Sequence, residues 1–426
     1  MRPGSPLRRA QWRVLLATSV AYLVYYTGRQ NLGWAIPGLV DLGLSATAIG
    51  WISAAGLVFY GAGQLIAGHL ADRLGGRRLV AGGAVASCAL NWVTSLGGGF
   101  WTIALPWALN GFAQSMGFAP ASRLIAAWWP PRERGRAFGV FTFAAGVSSV
   151  LTFATAAAVL AWLSWRWVFR LPALLLLLGA AAVLGLARDR PEELGLSLPE
   201  EPDSGDAVPG EAGRPAVSDP GPAGSESLRA RLRDAFGNRA FVLVSLAFGC
   251  GNWARLGLLV WVPAHVVASG AATGSAARWI PLALPVGMAL GALAAGDVAD
   301  RFLRGDHLRL IVAAFVLAGL ACLALLATPA DARGLALLFA AGLLVFGPFT
   351  SFTAVAAELL GPHAIGAGIG FMNGVGYAAA ALGDVVTGAV IDATGSTAAV
   401  FGVAAAVCLL GAAATALARA AIRRPG

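Results

Sequence analysis

The 426-residue chain contains no lysine, so all 30 of its basic residues are arginine. Any cationic binding group is therefore a guanidinium, permanently charged and able to grip an oxyanion with a fork of donors. Charge of either sign is scarce. Charged residues make up 12% of the chain against 58% hydrophobic, where a soluble domain carries roughly 25% charged residues. An ordinary water-soluble globule is excluded. The four cysteines, Cys88, Cys250, Cys322 and Cys408, each lie inside an apolar run without metal-ligand spacing, and read as packed thiols. The four histidines, His69, His265, His307 and His363, are equally dispersed. No nucleophile–base pair or phosphate-binding glycine loop stands out, so neither an enzyme nor an ATP-driven pump is expected, and no metal or cofactor. The net charge of +9 does not point to nucleic acid, because the arginines cluster in short connections between apolar stretches.

Those apolar stretches are what the chain has in abundance. Runs of about twenty residues suffice to cross a hydrocarbon core as helices, and such runs recur from end to end. They predict an all-α integral membrane protein with twelve transmembrane helices, near 13–38, 46–71, 78–97, 99–127, 136–160, 165–187, 240–267, 275–299, 308–328, 333–359, 364–391 and 396–420. Short alternating segments of the barrel type are missing, and 56 glycines suit close helix packing. The basic N-terminus lacks a cleavage pattern after it, so the first span is expected to be retained. Arginine-rich connections alternate with charge-poor ones. That places both termini and the central connection on the cytoplasmic side of the cell (inner) membrane. The central segment 189–238 is rich in Pro, Gly, Ser and acid and holds 11 of the 21 carboxylates. It reads as a largely disordered linker between an N-terminal half, 1–188, and a C-terminal half, 239–426.

Within this apolar background two charges stand alone. Arg29 is the only charged residue between Arg13 and Asp41, and Arg255 the only one between Arg239 and Arg278. Each is followed eight positions later by a proline, Pro37 and Pro263. A charge at membrane depth costs about 2.5–3.5 kcal/mol on insertion scales and normally marks a substrate or ion path. The two halves repeat the pattern: Arg29 precedes Asp72 by 43 residues, and Arg255 precedes Asp300 by 45. Tyr22, Tyr26 and Arg29 fall at helical i, i+4 and i+7, and Tyr60 and Gln64 at i and i+4. Hydroxyls beside a guanidinium suit an oxyanion; interfacial anchoring or core packing is the other reading of these tyrosines. Few carboxylates are placed to neutralise the arginines. Glu358 lies at a span end, and Asp384 is deeper, seven residues beyond Tyr377. Asp384 is left open between a proton carrier, a counter-ion and a polar contact.

At these residues the chain resembles the major facilitator superfamily. GHLADRLGGRR matches that superfamily's loop between helices 2 and 3, and GDVADRFLRGD is a weaker copy. Within the superfamily it resembles the organophosphate:phosphate antiporters, on YLVYYTGRQN, RLGLLVWVP, ASRLIAAWWPPRERGRAFGV and RDRPEELGL. The resemblance implies two pseudo-symmetric six-helix bundles, working as a monomer in the lipid bilayer by alternating access. It implies that Arg29 and Arg255 clasp a phosphate, with Tyr22, Tyr26 and Tyr60 as aromatic companions and Trp261 beside them; by position alone, Gln64 one turn from Tyr60 and mid-span Tyr377 are further candidates. It further implies a gating network of Asp72, Arg73, Arg77, Arg123 and Glu133, with Asp300, Arg301 and Glu358 as counterparts. Two positions depart from the group: Gln64 stands where a lysine is common, and Ala145 where a histidine is. The expected function is exchange of a small organic anion, preferably an organophosphate, for inorganic phosphate. The alternatives are proton-coupled carriage of a carboxylate or other solute through Asp384, or a transporter-like membrane sensor of a phosphorylated ligand.

Overall fold

The computed structural model describes residues 5–198, 237–269, 277–328 and 331–423, and every regular element among them is a helix. Most of the expected linker, residues 199–236, lies outside the described residues. Helix α1 (Pro6–Tyr25) starts on Ser5, whose hydroxyl accepts from the Arg8 N–H at 3.2 Å, with Pro6 at the first turn where its missing N–H costs nothing. Beyond a 3₁₀ turn, Tyr26–Gly28, follow α2 (Leu32–Asp41), α3 (Ala46–Leu74), α4 (Gly76–Leu96), α5 (Phe100–Ser115), α6 (Phe118–Trp128), α7 (Pro131–Leu160) and α8 (Arg166–Leu186). The later part of the chain supplies α9 (Arg239–Ala268), α10 (Ala283–Leu303), α11 (His307–Leu326), α12 (Ala332–Phe346), α13 (Phe349–Thr394) and α14 (Ala399–Arg423). Side-chain caps open several of these. Asn238 accepts from Phe241 N, Asp306 from Arg309 N, and Asp331 from Arg333 N and Gly334 N.

Ten helical segments among the described residues are long and apolar enough to cross a membrane, with Ala332–Leu360 spanning the short break between α12 and α13 and Ala364–Thr394 the rest of α13. The other two expected spans are interrupted, which the sequence reading did not anticipate. Span 13–38 is broken into α1 and α2, and span 99–127 into α5 and α6 at Met116–Gly117. At the second break the Tyr25 ring presses on Gly117, where a Cβ would lie 2.7 Å from Tyr25 Cε1. A third interruption, Gly347–Pro348, separates α12 from α13, because Pro348 offers no N–H to continue the ladder. The turn expected near 360–363 is instead helical, and α13 runs unbroken from Phe349 to Thr394.

The chain divides into two compact units, one of Met1–Leu32 and Val58–Arg214, the other of Gly33–Leu57 and Pro215–Gly426. In the first, α4 packs on α5 and α8, and α1 on α7 and α8. Its core includes Leu15, Tyr22, Tyr25, Trp128, Phe141 and Leu176. In the second, α9 packs on α13 and α14, α11 on α14, and α10 on α12. Phe241, Phe248, Phe315, Phe352 and Met372 form its core. The α10–α12 crossing is close: Gly287 and Gly291 lie one turn apart against the backbone at Phe339 and Leu343, a small-residue contact of the kind membrane helices use. Large apolar side chains such as Leu65, Trp101, Trp162 and Leu410 point outward, as lipid-facing residues do.

Candidate functional site

The first expected arginine sits where the chain stops being an α-helix. Thr27 and Gly28 are buried in the 3₁₀ turn, and Arg29 follows with φ −135°, outside the helical region. The regular i, i+4, i+7 face expected for Tyr22, Tyr26 and Arg29 therefore ends at Tyr25. The guanidinium nevertheless meets both expected neighbours. Its carbon lies 3.8 Å from the Tyr26 ring centroid and 4.7 Å from that of Tyr60. The ring faces attract the cation through their quadrupoles. Gln64 is half-buried one turn after Tyr60. Tyr22 is more interior than expected. It packs among Tyr25, Tyr26, Phe118 and Phe141, with ring separations of 4.8–6.0 Å. Ala145, at the other departure from the group, packs against the same core.

In the second unit Arg255 is held in a similar way, by residues the sequence reading missed. Its guanidinium carbon lies 4.9 Å from the Phe346 ring and 5.1 Å from that of Phe349. Those rings flank the Gly347–Pro348 break, so both arginines lie beside interrupted helices. The Nε of Arg255 finds no acceptor among the described residues. Trp261, expected as a companion of the arginines, is buried near Asp384 instead. Asp384 is wholly buried and accepts a 2.6 Å hydrogen bond from Ser53, while its other oxygen has no donor. The Trp261 indole lies close to this carboxylate. Tyr377 is half-buried two turns before Asp384 on α13.

Of the expected gating residues, Asp72 and Arg123 meet in an ion pair of 2.7 Å. Arg77 uses its backbone N–H on Asp189 Oδ1 at 3.0 Å and its guanidinium on the Leu184 carbonyl. Arg73 is exposed beside Asp72. Glu133 pairs with Arg8 rather than with Arg123. Asp300, Arg301 and Glu358 are exposed, and none of the three forms an ion pair with a described residue. The charges that do cluster in that unit are Asp306 with Arg309 and Arg419, at 3.0 and 2.8 Å. This trio was not singled out in the sequence, because Arg419 lies 113 residues from Asp306.

Comparison with known proteins decides the family. Residues 18–384 match the Major Facilitator Superfamily. The chain belongs to that superfamily. It is a multi-pass membrane protein of a transporter family and not an enzyme, and the resemblance drawn from its arginines and its α3–α4 loop is borne out. The chain is 28% identical to the membrane sensor protein UhpC of Salmonella typhimurium, over 88% of this chain and 84% of that one. It is 25% identical to the glycerol-3-phosphate transporter of Bacillus subtilis, over 90% of this chain and 87% of that one. A phosphoglycerate transporter protein of Salmonella typhimurium is 34% identical over 45% of this chain and 44% of its own length. Among solved structures, the nucleoside transporter NupG superposes with a TM-score of 0.72 at 12% identity, covering 96% of this chain and 99% of that one. A bacterial homologue of the lysosomal transporter Spinster gives 0.69 at 15%, covering 98% and 96%. At those identities the two structures establish the fold alone.

Proposed function

We propose that this superfamily member is a secondary transporter of the inner membrane. It moves a small organic anion carrying a phosphate group in exchange for inorganic phosphate. Arg29 and Arg255 both engage the anion, and the halves 1–188 and 239–426 alternate its exposure to the two sides. Both termini and the 189–238 linker are cytoplasmic in this reading, and a monomer suffices. The observation that carries it is the matched setting of the two repeat-related arginines. Each guanidinium rests on a pair of aromatic rings next to a helix interruption. A guanidinium carries a planar fork of N–H donors that matches an oxyanion. Relatives named as glycerol-3-phosphate and phosphoglycerate transporters support the phosphate group.

Bringing two guanidiniums into one closed, empty site is costly, and a bound anion offsets that cost. Conformational switching then depends on loading, which is how exchange becomes obligatory. The Asp72–Arg123 pair, with Arg73, Arg77 and Glu133, serves as the gating element of one half, and Asp300, Arg301 and Glu358 of the other. Gln64 and Ala145 replace a lysine and a histidine common in the group, so the contacts beyond the phosphate differ from theirs.

Proteoliposomes loaded with inorganic phosphate test the proposal. Exchange of internal labelled phosphate for external glycerol phosphate or sugar phosphate is expected, and no exchange with any phosphate-bearing anion would refute it. A second reading is favoured by the similarity to a membrane sensor protein. Binding of phosphorylated ligands without flux would point to sensing. A third rests on Asp384, whose buried carboxylate has one oxygen without a donor. Uptake driven by a pH gradient without counter-substrate would point to proton coupling.

A further inference from the structure

The interruption before Arg29 leaves a main-chain carbonyl, that of Gly28, without the i+4 N–H a continuous helix would supply. Two asparagines from other helices take its place. Asn91 of α4 donates to Gly28 O at 2.9 Å, and Asn110 of α5 donates to the same oxygen at 2.7 Å. Both side chains are buried. Their orientation is dictated by chemistry, since the Gly28 carbonyl only accepts and turning either amide round would set oxygen against oxygen.

The rest of the polar cluster supports those two donors. Ser87 donates to Asn110 Oδ1 at 2.6 Å, and Asn31 donates to Asn91 Oδ1 at 2.9 Å. Each asparagine thus has its oxygen engaged and its nitrogen aimed at Gly28. The approach is tight enough to require glycine, because a Cβ at position 28 would lie 2.7 Å from Ser87 Oγ and from Gln114 Nε2. The cluster does not satisfy itself: Asn31 Oδ1 and Gln114 Oε1 accept nothing from the described residues. Two of its amides nonetheless converge on the carbonyl one residue before the guanidinium, Asn91 also donating to Ser87 O at 2.9 Å.

We infer that Asn91 and Asn110 are positioning residues for anion recognition: by jointly holding the Gly28 carbonyl they fix the non-helical backbone that presents Arg29 to the anion. The inference rests on the proposed role of Arg29. A restored helix would rotate residue 29 and carry its guanidinium away from the faces of Tyr26 and Tyr60. Neither asparagine touches the anion. Their effect on binding therefore runs entirely through Arg29.

A double-mutant cycle separates this from a merely structural role. Inorganic phosphate is titrated into the purified full-length protein, wild type or carrying Asn110→Ala or Asn91→Ala, each with Arg29 or with Arg29→Lys. Thermal stability without phosphate is measured alongside. Asn110→Ser, which keeps a hydroxyl but not the reach, substitutes if an alanine variant is not recovered folded. The expected result is about tenfold weaker phosphate binding for each asparagine variant with Arg29 present, and no further loss in the Arg29→Lys background. Wild-type phosphate affinity in folded asparagine variants would overturn the inference, as would an equal loss in both backgrounds. Wild-type affinity in Arg29→Lys alone would show that the reading of Arg29 had failed, and this inference with it.

Discussion

Ser53 donates a 2.6 Å hydrogen bond to Asp384, and this donor comes from α3 to a carboxylate on α13 that is closed to solvent. The contact engages one oxygen of a carboxylate that forms no ion pair among the described residues. A buried acceptor left without donors costs about 1–3 kcal/mol. Replacing the charge by a neutral isostere removes a desolvation penalty instead.

The two substitutions at this contact are accordingly predicted to diverge. Ser53→Ala should destabilise the protein by about 1–3 kcal/mol. Asp384→Asn should melt no lower than wild type, because Ser53 can still donate to the amide oxygen. Phosphate exchange in vesicles should persist in Asp384→Asn if the anion is exchanged. Loss of both exchange and stability in Asp384→Asn would assign the carboxylate an essential charge.

Eight residues on, the same helix pair is joined again. Asp392 accepts from Ala46 N at 2.9 Å, Thr47 N at 2.8 Å and Thr47 Oγ1 at 2.6 Å. It thereby supplies from α13 the capping group for the first turn of α3. A negative charge there also complements the helix dipole. Asp392→Ala is expected to cost about 1 kcal/mol, the typical value of a lost N-cap. Thermal unfolding in detergent measures it, and an unchanged midpoint would mean the cap is not formed in the folded protein.

Asp306 provides a pH-dependent prediction outside the membrane spans. Partial burial pushes its carboxyl up, but the Arg309 backbone N–H, the Arg419 guanidinium and both arginine charges outweigh this and hold it below the ordinary carboxylate range. A lowered folded value means stability that is present above the unfolded carboxylate pKa of about 4 and is lost as pH falls through the lower folded one. The pair is partly solvated, so its worth is under about 1 kcal/mol. Asp306→Asn should melt slightly below wild type at pH 7. The difference should shrink below about pH 4, and a gap that stays constant with pH would contradict the assignment.

The legible parts of this protein were those set by transfer energetics. Apolar runs marked the helices, and the isolation of Arg29 and Arg255 singled out the residues on which the proposed site rests. What stayed hidden depended on contacts between distant segments. The breaks at Tyr26–Gly28 and Met116–Gly117 have no proline to mark them. The second is shaped by the Tyr25 ring, a residue 92 positions away from Gly117. Phe346 and Phe349 were indistinguishable from packing aromatics until placed against Arg255. A signal for the amide cluster did exist. Asn31, Asn91, Asn110 and Gln114 are uncharged but costly in apolar spans, and weighing amides as well as charges would have raised them. Glu133 misled for the opposite reason: its partner Arg8 lies 125 residues away in the basic N-terminus, among arginines read only as topogenic.

The central claim is that two guanidiniums, one per repeat, bind the transported anion through paired N–H donors. Phosphate exchange by proteoliposomes containing Arg29→Lys or Arg255→Lys tests it most directly, with protein amount and melting temperature matched to wild type. Lysine keeps the positive charge but loses the planar fork. Each variant is predicted to lose at least about tenfold in exchange rate, the factor carried by some 1.4 kcal/mol of lost contact. Near-normal exchange in both lysine variants would contradict the account.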